Sequence, residues 1–124
     1  MKGKSILFAI RKEHHLPDGL SRSQKNRIRD GYQKIDDHIT EKDISGAIHD
    51  IKGNPITNNN GKPYQHYKEV DEAVEALKDE KASLIKSIQN PKMIPEIKKY
   101  IQDVIQEFDL IINKWKHIKG EKNE

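Results

Sequence analysis

The last third of the chain has the plainest pattern. From Ile94 onward, apolar residues fall at Ile97, Tyr100, Ile101, Val104, Ile105, Phe108, Ile111, Ile112, Trp115 and Ile118. Steps of three and four draw one continuous stripe down a helix. Pro95 suits the first turn of that helix and Gly120 its end. A second stripe precedes it: Tyr67, Val70, Val74, Leu77, Leu84, Ile85 and Ile88. Lys81 interrupts this stripe and is expected to lie along the rim with its stem buried. The pair Asn90 and Pro91 stops the second helix. Two long helices joined by a few residues read as an antiparallel αα-hairpin.

Further forward the pattern weakens. Ile28, Tyr32, Ile35 and Ile39 predict a third helix, although Gly31 counts against it. Thr40 with Asp43 three residues on is a capping-box pattern. It predicts a short helix carrying Ile44, Ala47, Ile48 and Ile51, closed by Gly53. Residues 14–23, "HHLPDGLSRS", read as a loop. So does the Gly/Pro/Asn-rich stretch 52–63, in which Asn60 and Gly61 give the strongest turn signal. The predicted fold is therefore a small, mainly α domain: a C-terminal helical hairpin preceded by a polar loop.

The length of 124 residues favours one domain. It divides into a basic segment (1–33), a polar central region (34–67) and the hairpin (68–118). With 33% apolar and 35% charged residues, its core must be economical. Without cysteine there is neither a disulfide framework nor a thiolate metal site. No stretch approaches the roughly 20 apolar residues of a membrane span. The apolar run 6–10 is shorter than the roughly 7–15 residues an export signal requires. It reads as a short buried element, and the chain is expected to have no export signal of its own.

Net charge is only +3, but its distribution is uneven. All four arginines (Arg11, Arg22, Arg27, Arg29) lie in the first 29 residues and five of the six histidines in the first 66. A guanidinium donates two hydrogen bonds to a phosphate at once. The front half is thus the better nucleic-acid face, the competing reading being simple solubility.

Metal-free cleavage of RNA needs a base for the 2′-hydroxyl, an acid for the leaving 5′-oxygen and a donor for the charged phosphorane. Histidine suits both proton transfers, because its pKa lies near neutrality. His38, His49 and His66 lie in the central region (34–67), with Lys52 and Lys62 nearby. Asp37, Asp43 or Asp50 could orient an imidazole. His66 stands out, since it follows the polar loop at the start of a long helix. Exposed amides at such a start favour an anion such as phosphate, and Tyr64 and Tyr67 could stack on bases. Each residue also has a plainer reading. His49 suits a helix surface and His38 a helix end favoured by the dipole; His14 and His15 suit a solvated loop. Asp43 is explained by capping, and Asp36 and Asp37 by a helix surface. The acidic spacing matches no metal-binding pattern. No phosphate-binding glycine loop, zinc-protease motif or serine-hydrolase elbow is present.

The central region also resembles a known family. "DISGAIHDIKGNPI", a short Gly-containing linker and then "YQHYKEVDEAVEAL" are similar to the C-terminal toxin domain of bacterial polymorphic toxins, type 28. The matching positions are Asp43, Ser45, Gly46, Asp50, Gly53, Asn54 and Pro55, then Tyr64, His66, Glu69 and Val70. Upstream, Asp37 and His38 are also in place. The resemblance covers roughly residues 34–118. Tyr64 stands where the family is expected to have tryptophan, and His49 where it is expected to have arginine or a variable residue. The resemblance implies a ribonuclease toxin carried at the end of a secreted bacterial effector. It also implies an immunity protein that neutralises the toxin in the producing cell.

Together these readings predict a toxic endoribonuclease that works without a cofactor. His66 and His38 would act as acid and base, with Asp43 or Asp50 orienting them. Lys52, Asn54, Tyr64, Tyr67, Arg27 and Arg29 would hold RNA. The expected partners are RNA, an acidic immunity protein and a parent effector that delivers the domain to a target-cell cytoplasm. The alternatives are a non-catalytic helical binding module and a DNase toxin. An RNase requires His38, Asp50 and His66 close together in the fold; a binding module does not.

Overall fold

The computed structural model describes residues 16–53, 61 and 65–120. Among these the protein forms four helices and no strand. They are α1 (Arg22–His38), α2 (Glu41–Ile51), α3 (His66–Ser87) and α4 (Pro95–Ile118). The apolar run 6–10 and most of the polar loop lie outside the described residues. None of the helices is long and apolar enough to cross a membrane.

Local chemistry sets the helix ends. The backbone N–H of Ser21 donates to Gln24 Oε1 at 2.8 Å, and Gln24 N–H donates to Ser21 Oγ at 3.0 Å. This reciprocal cap starts α1 at Arg22, inside the stretch that reads as loop from the sequence. Thr40 and Asp43 form the second capping box, as their spacing predicts. Pro95 opens α4, where its missing N–H is no loss. Gly53 and Gly120 take φ of 75° and 82°, a left-handed turn after α2 and α4 that glycine adopts without strain.

The stripes meet in one core. Ile28, Val70, Val74, Leu77, Leu84, Ile101, Val104, Phe108 and Trp115 are its largest fully buried side chains. Burying apolar surface contributes roughly 25 cal/mol per Å², and these nine are the side chains most completely removed from water. Ile85, in the second stripe by spacing, is 38% exposed. It falls in the last turn of α3, at the edge of the stripe.

Cross-helix pairs give the directions. Lys81 meets Asp109 at 2.5 Å, whereas Asp71, earlier in α3, meets Trp115, later in α4, and Lys119 just beyond its end. The two helices therefore run in opposite senses. Arg27 of α1 pairs with Glu80 at 3.2 Å, far along α3. The α1 chain then turns at residues 39–40 into α2, which lies on the first turn of α3. One end of the bundle thus gathers the end of α1, all of α2, the start of α3 and the end of α4.

Candidate functional site

His66 is the first residue of α3 and sits at that gathered end. Its ring lies against the backbone of α2 at Gly46. A Cβ built on Gly46 would overlap ring atom Cγ and lie 2.5 Å from Nδ1 and 2.7 Å from Cδ2. The base of the imidazole therefore faces α2, and Nε2 lies further off. Nδ1 is buried, although the residue as a whole is half-exposed.

Asp50 comes from the same face of α2 as Gly46, one turn on. Its Oδ2 accepts a hydrogen bond from the Tyr67 backbone N–H at 2.9 Å. No side chain of α3 itself caps that terminus. Asp50 thus supplies across the fold the cap that Gln65 does not, and its charge suits the positive end of the helix dipole. One of the amides expected to favour phosphate, that of Tyr67, therefore already holds an anion of the protein's own. Oδ1 of Asp50 is buried and has no hydrogen-bond partner among the described residues. A buried carboxylate oxygen of this kind is open to a donor.

The other residues singled out from the sequence are distributed as follows. His38 is half-buried as the last residue of α1, at the same end of the bundle. The Asp43 carboxylate is engaged in the cap: its Oδ2 accepts from Thr40 N–H at 3.0 Å and from Thr40 Oγ1 at 2.7 Å. Lys52 is exposed just beyond α2. Tyr67 packs on Trp115, with ring centroids 5.3 Å apart and planes at 54°, so one side of its ring is already covered. Arg27 is held by Glu80, 14 residues along α3 from His66, or roughly 20 Å at the helical rise. The structure therefore does not bring Arg27 to His66. Arg29 is exposed on the middle of α1. Asn54 and Tyr64 lie outside the described residues.

Sequence reasoning missed a second polar knot at this end. Trp115 Nε1 and Lys119 Nζ both donate to Asp71 Oδ1, at 2.9 and 2.8 Å. Burial acts to raise the Asp71 pKa. Hydrogen bonds from Lys119 and Trp115, together with the charges of Lys119 and Lys78, outweigh it and hold the carboxyl below its ordinary value. The available signal was spacing, since Asp71 lies one turn after Tyr67 and shares its face toward α4. Among the described residues, no three His, Asp or Glu side chains converge as a metal site would require.

A match to a family model sets this helical domain, with its imidazole and carboxylate at one end, among the toxin domains of bacterial polymorphic toxins. The family is described as bacterial toxin 28; the match runs over residues 19–120, and the chain belongs to it. That span takes in all four helices and extends the resemblance forward to include α1. No curated protein matches the chain. Membership makes the protein a bacterial toxin and is consistent with delivery as part of a larger effector.

Proposed function

We propose that this toxin is an endoribonuclease, and that it cleaves RNA by attack of a 2′-hydroxyl on the adjacent phosphate, without a metal. One observation carries the reading: the imidazole of His66 and the partly unsatisfied carboxylate of Asp50 lie together where α2 crosses the first turn of α3. A histidine beside an oriented carboxylate is the equipment for proton transfer near neutral pH. His38, at the same end of the bundle, is the second proton-transfer group.

Of the two aspartates considered for orientation, Asp50 is favoured, because the Asp43 carboxylate is held by Thr40. Lys52, exposed beside this end, and Asn54 are the phosphate contacts of this reading. Arg29 extends the cationic surface along α1, whereas Arg27 is already neutralised by Glu80. An immunity protein that blocks this end would need acidic groups to meet Lys52, and further ones along α1 to meet Arg29. The domain would act in the cytoplasm of a target cell, carried there by a parent effector.

The test is purified protein incubated with total bacterial RNA, with and without EDTA, beside His66→Ala. The expected result is cleavage that survives EDTA and is lost in the variant. Cleavage abolished by EDTA moves the chemistry to the carboxylates. Cleavage of DNA and not RNA makes the toxin a DNase. No cleavage of either favours the binding-module reading.

A further inference from the structure

Gly46 lies in the middle of α2, where glycine is among the poorest residues for a helix. Its backbone gives no reason for glycine, because its φ is not positive. Its surroundings do. The volume that a side chain would need is occupied by the base of the His66 ring. Gly46 is also buried, as is its neighbour Ala47, and Asp50 lies one turn on along the same face. The imidazole therefore rests directly on the α2 backbone, beside the carboxylate that caps its own helix.

We propose that Gly46 is a positioning residue for His66. The missing side chain lets α2 and the first turn of α3 approach closely enough to bury Nδ1. It also holds the ring in one place, with Nε2 as the ring nitrogen further from α2. This inference rests on the reading of His66 as the proton-transfer group. It adds a distinct claim: a single methyl at position 46 dislodges the ring.

The test is a cycle of Gly46→Ala, His66→Ala and the double variant. In the native background, Gly46→Ala is expected to lower Tm and to shift the His66 Cε1–H resonance in NMR spectra. RNA turnover should fall about 100-fold with little change in KM, since a displacement of about 1 Å costs that much. In the His66→Ala background the ring is gone and only helix propensity remains. There the same substitution is expected to raise Tm by a few degrees, about what a Gly-to-Ala exchange yields. This reversal of sign separates a ring support from a residue needed merely for folding. An equal rise in Tm in both backgrounds, with an unmoved His66 resonance, overturns the proposal. A reversal of sign with undiminished cleavage by His66→Ala overturns the catalytic reading alone and leaves Gly46 supporting an inert ring.

Discussion

Two interior glycines lie under aromatic rings, and they serve different ends. Gly31 in α1 sits beneath Phe108 of α4, where a Cβ would approach ring atom Cε2 to 2.5 Å. Phe108 is fully buried, with Tyr32 edge-on at 5.2 Å and Tyr32 Oη donating to Glu107 at 3.0 Å. Gly46 in α2 sits beneath His66, which is half-exposed and lies beside a carboxylate. The device is the same: a helix gives up propensity so that a ring can touch its backbone. In the middle of the bundle the ring fills space. At the end of the bundle it presents an imidazole beside solvent. On the proposed reading, position decides whether close approach yields stability or chemistry.

The comparison can be broken at either ring. His66→Ala is expected to lower RNA cleavage and toxicity by about 10²–10⁴-fold, the usual range for a proton-transfer group. Its unfolding free energy should fall by only about 1–2 kcal/mol, because the half-exposed ring loses its packing against α2 alone. Phe108→Ala should do the reverse in kind, destabilising by about 3–5 kcal/mol in urea unfolding. At a temperature where the variant is folded, its turnover should be unaltered. If His66→Ala proves the more destabilising of the two, the contrast between the sites is wrong.

Smaller effects sharpen the contrast. Asp50→Ala removes the acceptor for the Tyr67 amide and should cost about 1 kcal/mol, typical of a lost N-cap. Asp50→Asn keeps an acceptor, so most of that stability should return while cleavage stays reduced. Equal cleavage by the Asn variant and the native protein would limit Asp50 to capping.

The smallest effect is at Asp71. Its folded pKa lies below its ordinary 3.8. Its contribution is thus complete above the unfolded value of about 3.9 and is lost as pH falls through the folded one. The Tm gap between the native protein and Asp71→Asn should be constant above about pH 5 and shrink on further acidification. A gap independent of pH would show that Asp71 acts through its hydrogen bonds alone.

Much of the bundle was legible because its information is local. The stripes of α3 and α4, the Thr40–Asp43 cap, Pro95 and Gly120 each state their role within a few residues. Gly31 was legible only as a weakness, because its reason, Phe108, lies 77 positions away. The pairing that withdraws Arg27 spans 53 residues, and no periodicity reports it. The candidate site was half legible. His66 at a helix start near Asp50 could be picked out from residue types, and the preference of that terminus for an anion was sound physics. That the chain itself would supply the anion from 17 residues back depends on how α2 crosses α3, which local pattern does not encode.

The Asp50–Tyr67 hydrogen bond ties the two ends of the connection between α2 and α3. Once its ends are fixed, the entropy of such a connection grows only logarithmically, about 0.6 kcal/mol for each doubling of length. The segment between them can therefore accept inserted residues, a protease site or a split into two chains at small thermodynamic cost. Changes of length there leave intact the support on which the imidazole rests, because that support is built from α2 and the first turn of α3.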